Sequence, residues 1–255
     1  MKWRRSFIKL NDLNISYLKI GRGKDNVLFL HGWGCTKEIY QQNINYISQF
    51  MTVYALDFPG FGKSDEPTYV WSIDDYVDLV IQFINTLDIK KISLIGHSFG
   101  GKVIIKLVNR KDLNFKIDKI VLISSAGIKH DRKPTFRQKI YKIVFPIVKK
   151  ISLKLLNKIK TKVGSTDYRC ATPMMRDILV KHIHEDLKDL LPSINKPTLI
   201  IWGEKDEAVP YSDALYMAQH IKDSGIVNLE NSGHFPFLDN PYLINKVLES
   251  FLKKD

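Results

Sequence analysis

One segment narrows the possible folds of this 255-residue chain more than any other, the run Gly96-His97-Ser98-Phe99-Gly100. The apolar run Ile92–Ile95 precedes it, and a helical pattern, Lys102–Asn109, follows it. Glycine two residues before and two residues after a serine lets the backbone reverse sharply from a strand into a helix. The segment therefore predicts a turn that places the Ser98 hydroxyl at the end of a sheet, in front of a helix N-terminus.

An acidic residue and a histidine follow in two later loops. The apolar run Thr198–Trp202 predicts a buried strand, and Asp206 lies just past its end. Another predicted strand ends at Glu230, and His234 lies in the loop after it. Serine, acid and histidine in this order form one of the known arrangements of a Ser-Asp-His triad along a chain. Two more acids, Glu204 and Glu207, flank Asp206 and stay alternatives for the acidic member.

Two further motifs complete a resemblance to the α/β-hydrolase superfamily. The segment His31-Gly32-Trp33-Gly34 follows one strand-like run, and Asp57-Phe58-Pro59-Gly60-Phe61-Gly62-Lys63-Ser64 follows the next. Both resemble motifs of that superfamily at the matching places. Together with the G-x-S-x-G turn, they make the chain similar to the superfamily over nearly its whole length.

The resemblance implies a role for each residue of the site. Ser98 would be the nucleophile, His234 the base that takes its proton, and Asp206 the carboxylate that orients the imidazole. The backbone N–H groups of Trp33 and Phe99 would form the oxyanion hole. Such a mechanism requires no metal or organic cofactor. Haloalkane dehalogenases and epoxide hydrolases of this fold use an aspartate at the nucleophile position, so the serine excludes their chemistry.

Eight predicted strands alternate with helical patterns along most of the chain. The later strands are short continuous apolar runs, such as residues 91–95 and 119–124, as expected for parallel strands buried on both faces. Alternation of this kind predicts a mostly parallel sheet flanked by helices. The expected fold class is therefore α/β, with the eight-stranded sheet of the α/β-hydrolase fold.

The alternation is interrupted by a stretch without predicted strands. Residues 1–127 and 192–255 are expected to form the α/β-hydrolase core, and residues 128–191 an inserted helical cap, or lid. Helical patterns cover about 134–163 and 174–187 of this insertion. In the superfamily, a cap at this position covers the serine and shapes the substrate pocket.

Positive charge is concentrated in the predicted cap. The chain carries a net charge of +12, and twelve Lys and Arg stand against the single acid Asp131 between Lys129 and Lys162. Apolar residues recur there every three or four positions, which predicts basic amphipathic helices. We favour packing of the apolar stripe on the core, with weak contact to an anionic membrane surface as the alternative. Nucleic acid is not an expected partner, because no binding motif accompanies the charge.

Four other residues indicate whether the protein has disulfides and where it is located. The two cysteines, Cys35 and Cys170, do not suggest a disulfide framework. Charged residues Lys9 and Asp12 interrupt the apolar core that a signal peptide needs, and no apolar run is long enough to span a bilayer. We expect a soluble, cytoplasmic protein.

Four histidines besides His234 have candidate roles. His31 and His97 are interpreted as structural residues that pack the loop and the turn by hydrogen bonds. His182 and His184 lie two residues apart and would therefore point to different faces of a helix, which disfavours a metal site.

The sequence thus predicts a serine hydrolase that forms an acyl-enzyme on Ser98 and cleaves carboxylic esters of small to medium size. Two alternatives stay open. One is a C–C bond hydrolase acting on a diketone-like substrate, although such family members typically carry tryptophan where Phe235 stands. The other is a small-molecule or membrane-surface binding module on the same fold, which an intact Ser-Asp-His set disfavours. The expected partner is a small molecule with an acyl group, and the sequence predicts neither its identity nor the oligomeric state.

Overall fold

The computed structural model describes residues 5–130 and 165–253. Eight strands lie within these residues: β1 (Arg5–Leu10), β2 (Leu13–Ile20), β3 (Asn26–Leu30), β4 (Thr52–Leu56), β5 (Lys91–His97), β6 (Lys116–Ile123), β7 (Thr198–Gly203) and β8 (Ser224–Leu229). They form one sheet in the order β1-β2-β4-β3-β5-β6-β7-β8. The β1–β2 and β2–β4 pairs are antiparallel, and every other pair is parallel. The predicted eight-stranded, mostly parallel sheet is confirmed.

Helices pack on both faces of this sheet. In the described part of the chain they are α1 (Gln41–Ile47), α2 (Ile73–Thr86), α3 (Phe99–Leu107), α4 (Thr166–Cys170), α5 (Pro173–Ile183), α6 (Tyr211–His220), α7 (Pro236–Asp239) and α8 (Pro241–Leu252), with 3-10 turns at Lys37–Tyr40 and Lys188–Ser193. Buried residues of α2, α3 and α6 join one apolar cluster, and those of α1 and α8 join another. The sheet is therefore the middle of three layers.

Strand β3 shows why the buried strands read as continuous apolar runs. Leu28 and Leu30 belong to the cluster under α2 and α3, whereas Val27 and Phe29 belong to the cluster under α1 and α8. Successive side chains of a strand point to opposite faces, so a strand covered on both sides needs apolar residues at every position.

The turn at Ser98 joins β5 directly to α3. Its two glycines are required by close approach of the backbone. A Cβ atom on Gly100 would lie 2.1 Å from the carbonyl oxygen of Leu30, and one on Gly96 would lie 2.6 Å from the carbonyl carbon of Gly100. These contacts bring α3 close against β3, which carries the loop beginning at His31.

Gly100→Ala is expected to destabilise the protein by more than about 3 kcal/mol, because the added methyl group meets backbone that cannot move aside. Gly225→Ala is the matched control, since nothing lies within 4 Å of a Cβ atom at that position. The control is expected to be neutral or to gain up to about 1 kcal/mol through the less flexible unfolded chain. Urea unfolding measures both. Equal stability of the two variants would contradict the steric argument.

Part of the predicted cap is described. Helices α4 and α5 lie in it, and the second 3-10 turn crosses its predicted end at residue 191. The helical pattern at 134–163, and with it nearly all of the basic segment Lys129–Lys162, lies outside the described residues. The boundaries 128–191 and the membrane alternative therefore stay predictions. No helix in 5–130 or 165–253 has the length and apolar character needed to cross a membrane. The cytoplasmic location also stays a prediction.

Candidate active site

Ser98 occupies a strained backbone position at the carboxyl end of β5. Its φ and ψ are 49° and −109°, outside the regions that non-glycine residues favour. Its N–H donates to the carbonyl of Ile123 at 3.0 Å, and its carbonyl accepts from the N–H of Ala126 at 3.1 Å. The end of β6 and the loop that follows it thus hold Ser98 in this conformation.

Asp206 and His234 are in direct contact. Asp206 lies in the loop after β7, and its Oδ2 accepts a hydrogen bond from Nδ1 of His234 at 2.8 Å. Its Oδ1 accepts from the backbone N–H groups of Ala208 and Val209, both at 2.9 Å. The carboxylate is therefore fixed on both oxygens, and it leaves Nε2 of His234 free to accept a proton.

The electrostatics of the loop single out Asp206 among its three acids. Burial opposes ionisation of Asp206, which is 8% exposed. The hydrogen bonds from His234 and the N–H of Val209 outweigh that cost and hold the pKa of the Asp206 carboxyl below its ordinary value. Glu204 and Glu207 are exposed. A charged carboxylate facing His234 is thus supplied by Asp206.

His234 lies beside the residue that precedes the serine. The ring centroids of His97 and His234 are 4.7 Å apart, and Nε2 of His97 lies 2.8 Å from the carbonyl oxygen of His234. Within the described part of the chain, the Ser98 hydroxyl makes no hydrogen bond to His234. In proteins without a bound substrate, catalytic hydrogen bonds of this kind are often long and tighten only in the complex.

Trp33 and Phe99 are the two residues predicted to form the oxyanion hole. Trp33 follows β3, and Phe99 is the first residue of α3. Their rings meet edge to face with centroids 5.5 Å apart. Among residues 5–130 and 165–253, no backbone acceptor is recorded for either N–H. The N–H of Phe99 belongs to the helix N-terminus, where the first donors have no partner within the helix and favour negative charge.

His31 fixes the loop that carries Trp33. Its Nε2 accepts from the N–H of Phe58 at 2.9 Å, so the ring proton lies on Nδ1, which donates to the carbonyl of Gly32 at 2.8 Å. Burial lowers the pKa of His31 to about 4, which keeps the ring neutral. These contacts are those of a structural histidine.

Comparisons with known proteins bear on this arrangement. Residues 27–246 match a family model described as the alpha/beta hydrolase family. The chain belongs to this family. It is 28% identical to the AB hydrolase superfamily protein YisY of Bacillus subtilis, over 91% of this chain and 92% of that protein. It is 26% identical to the pimeloyl-[acyl-carrier protein] methyl ester esterase of Wigglesworthia glossinidia brevipalpis, over 92% and 96% of the two chains.

Two solved structures of other proteins share this fold. An esterase from Exiguobacterium antarcticum superposes with a TM-score of 0.77 over 98% of this chain and 99% of its own, at 24% identity. The meta-cleavage product hydrolase CumD from Pseudomonas fluorescens superposes with a TM-score of 0.74 over 97% of each chain, at 22% identity. Together with the family match, these likenesses confirm the predicted α/β-hydrolase fold.

Two buried groups of this alpha/beta hydrolase were not predicted from the sequence. Nζ of Lys37 donates to Oδ2 of Asp57 at 2.6 Å and to the hydroxyl of Ser16 at 2.8 Å, with both members of the ion pair almost completely buried. The backbone N–H of Lys37 also donates to Oδ1 of Asp57 at 2.8 Å. This pair joins the loop after β3 to the loop after β4. A lysine in a loop normally predicts a solvated side chain, so no sequence pattern indicates this buried pair.

His182, considered above as a metal ligand, packs against the site instead. Its ring stacks on Phe99 with centroids 5.1 Å apart and an interplanar angle of 13°, and it meets Trp33 edge to face. Lys102, on α3, donates from Nζ to the main-chain carbonyls of His182 and Glu185, both at 2.7 Å. The end of α5 is therefore tied to the helix that follows Ser98.

Removing Lys37 is expected to lower the free energy of unfolding by about 3–5 kcal/mol, because Asp57 becomes a buried charge without a cation. Removing Asp57 is expected to cost less, because Oε1 of Glu38 lies 3.3 Å from Nζ of Lys37. Urea unfolding of Lys37→Met and Asp57→Asn measures both losses. The double variant is expected to lose less than the sum of the two, since it buries no charge. Additive losses would contradict the coupling.

The same pair predicts a loss of stability in acid. Burial opposes ionisation of Asp57, but the hydrogen bonds and charge of Lys37 outweigh it, so the pKa of the Asp57 carboxyl is lowered. A lowered pKa gives stability that is present above the unfolded value, about 4, and is lost as the pH falls through the folded value. The free energy of unfolding is expected to fall below about pH 4, and less steeply in Asp57→Asn. Equal slopes would contradict this assignment.

Proposed function

We propose that this alpha/beta hydrolase forms an acyl-enzyme on Ser98 and hydrolyses carboxylic esters of small to medium size. Ester chemistry is supported by the names of two relatives, the pimeloyl-[acyl-carrier protein] methyl ester esterase and monoacylglycerol lipase ABHD6 of Bos taurus, each 26% identical to this chain. Both names describe cleavage of a carboxylic ester. The serine, histidine and acid of this chain supply the groups that such a reaction needs.

The observation that carries the proposal is the hydrogen bond from Nδ1 of His234 to Asp206, placed beside the strained turn at Ser98. Serine is a weak nucleophile unless a neutral imidazole takes its proton during attack. A carboxylate on Nδ1 holds the imidazole in the tautomer whose Nε2 is free, and it stabilises the imidazolium that forms. The backbone strain at Ser98 is consistent with a side chain held exposed for reaction.

Acylation follows from these positions. Oγ of Ser98 attacks the ester carbonyl while Nε2 of His234 takes its proton, and the carbonyl oxygen becomes an oxyanion. The N–H groups of Trp33 and Phe99 would donate to that oxyanion, each stabilising it by roughly 3–4 kcal/mol by analogy with a single side-chain donor. The intermediate then collapses, the C–O bond to the alcohol breaks, and His234 returns its proton to the leaving alkoxide.

Deacylation reverses the roles. A water molecule gives a proton to Nε2 of His234 and attacks the acyl carbon, which forms a second oxyanion in the same place. Collapse breaks the bond to Oγ of Ser98, and the serine recovers its proton from the imidazolium. The products are a carboxylic acid and an alcohol.

The proposal includes a cap formed by residues 128–191. Two contacts of the described part support it: His182 on α5 stacks on Phe99, and Oδ1 of Asp167 on α4 would lie 3.4 Å from a Cβ atom on Gly34. Both core partners lie in the segments proposed to form the oxyanion hole. A cap in this position would limit the size of the acyl group that reaches Ser98.

The experiment that tests the proposal combines labelling with turnover. A fluorophosphonate probe, followed by mass spectrometry of the labelled peptide, reports whether Ser98 is an activated nucleophile. Hydrolysis of p-nitrophenyl esters of increasing acyl length reports whether esters are substrates and where the chain-length optimum lies. We expect labelling of Ser98 and an optimum at short to medium acyl chains.

Each other outcome points to one of the alternatives. A labelled Ser98 without turnover of any ester would overturn the esterase assignment and favour C–C bond or another acyl chemistry. A folded protein that is not labelled would overturn the acyl-enzyme mechanism and favour a binding role.

A further inference from the structure

His97 contacts three of the four segments that carry the proposed catalytic groups: the turn at Ser98, the loop of His234 and the loop of Trp33. It is the last residue of β5, it directly precedes Ser98, and it is 1% exposed. Its ring packs on the ring of His234 and on Phe235 and Phe237, with centroids 4.7, 4.9 and 5.1 Å apart. A Cβ atom on Gly32, the residue before Trp33, would lie 2.6 Å from Nδ1 of His97.

The hydrogen bond of His97 fixes its tautomer. Nε2 lies 2.8 Å from the carbonyl oxygen of His234, and a carbonyl oxygen only accepts, so Nε2 carries the proton and donates it. Burial lowers the pKa of His97 to about 3. The ring is therefore neutral at ordinary pH, and its Nδ1 carries no proton. Within the described residues, that buried Nδ1 has no hydrogen-bond partner.

These contacts do not allow His97 to act as the base. Its proton-accepting nitrogen faces Gly32, and its other nitrogen is occupied by the main chain of His234. Instead, the His97 ring holds the main chain of His234 in place. Asp206 fixes the side chain of His234 through Nδ1, and His97 fixes the peptide group of the same residue, so His234 is held at two points.

We propose that His97 is a positioning residue, whose Nε2–H bond to the carbonyl of His234 sets the distance between the imidazole and Ser98. The inference rests on the proposed function. The proton transfer from Ser98 to His234 depends on that distance, and a misplacement of about 1 Å can cost about 100-fold in rate. Because the bond does not touch substrate, its loss should lower kcat and leave KM nearly unchanged.

Three substitutions separate the hydrogen bond from the packing. The amide nitrogen of glutamine reaches the position of Nε2, so His97→Gln can keep the bond to His234. The amide of asparagine reaches only the position of Nδ1, so His97→Asn loses the bond while staying polar. His97→Leu keeps an apolar side chain and no donor. The Gln and Asn variants are the matched pair, since they carry the same amide group and differ by the one methylene group that moves the donor.

The expected result is a loss of about 10- to 100-fold in kcat for p-nitrophenyl ester hydrolysis in His97→Asn and His97→Leu, with KM within about threefold of wild type. His97→Gln is expected to keep kcat within about threefold. The rate of fluorophosphonate labelling should fall in the same proportion as kcat, because labelling needs the Ser98–His234 geometry but no ester substrate.

Three results would overturn the inference. Folded Asn and Leu variants with wild-type kcat would show that the bond has no effect on positioning. A folded Gln variant as slow as the Leu variant would show that the packing of the His97 ring, and not its hydrogen bond, positions His234. Where the variants fail to fold, the ¹⁵N resonances of His97 in the wild type test the tautomer instead. A His97 ring protonated on Nδ1, or one that titrates between pH 5 and 9, would contradict the hydrogen bond from Nε2. If the wild type itself is not labelled, the proposed function fails first and the inference fails with it.

Discussion

Ser98→Ala is expected to reduce kcat for ester hydrolysis by at least about 10⁴-fold, because no other group can form the covalent acyl intermediate. The residual rate is expected to exceed that of the uncatalysed reaction by about 10³-fold, since the variant keeps the proposed oxyanion donors, the N–H groups of Trp33 and Phe99. Steady-state rates with a p-nitrophenyl ester at its optimal chain length measure the loss. Fluorophosphonate labelling should disappear in the same variant.

A matched surface variant controls for nonspecific effects. Ser193 lies exposed in the second 3-10 turn, so Ser193→Ala is expected to keep wild-type activity and labelling. Thermal unfolding should show that both variants are folded. Activity of a folded Ser98→Ala near that of the wild type would contradict the mechanism, and labelling that persists in it would move the nucleophile to another residue.

The sheet could be predicted from sequence because its strands are buried on both faces and read as apolar runs. The ends of the strands were predicted less accurately. The run 119–124 predicts a strand that starts three residues late, because β6 begins with the polar residue Lys116, which pairs with Lys91 of β5. Conversely, β5 continues past the run 91–95 to His97, which pairs with Ile123. Backbone pairing with a neighbour decided both ends, and an apolar pattern carries no information about that neighbour.

The residues of the candidate site were found for a different reason. Ser98, Asp206 and His234 each follow a recognisable strand, and their motifs are local in the sequence. The choice of Asp206 over its two acidic neighbours depends on burial and on hydrogen bonds, which single-sequence patterns do not contain. The structure supplies both, and the roles of these residues are tested by the variants described here and above.

The supporting contacts lay beyond prediction because they join residues far apart in the chain. Lys37 meets Asp57 across two loops, and His97 meets His234 across 137 positions. The first pairing depends on the strand order of the sheet, in which β3 lies beside β4. The second joins the end of β5 to the loop after β8, and these two strands are not neighbours in the sheet. A buried lysine also contradicts the usual solvent exposure of its residue type. Sequence reasoning thus named the candidate reacting groups and a structural role for His97, but not the partners of His97 and Lys37.

Asp206→Asn is expected to lower kcat by about 10³- to 10⁴-fold with little change in KM. Asparagine can still accept the N–H groups of Ala208 and Val209, so the loop is expected to keep its shape. Its amide NH₂, however, would donate to Nδ1 of His234. That reverses the tautomer of the imidazole, puts the proton on Nε2 and removes the acceptor for the Ser98 proton.

The two acids beside Asp206 provide matched controls in the same loop. Glu204→Gln and Glu207→Gln make the same carboxylate-to-amide change at exposed side chains, so kcat is expected to stay within about twofold of wild type. Rates for all three variants between pH 5 and 9 complete the comparison. A loss of kcat in either glutamine variant as large as that in Asp206→Asn would show that Asp206 is not the acidic member of the triad. Wild-type rates in all three would mean that His234 needs no carboxylate partner.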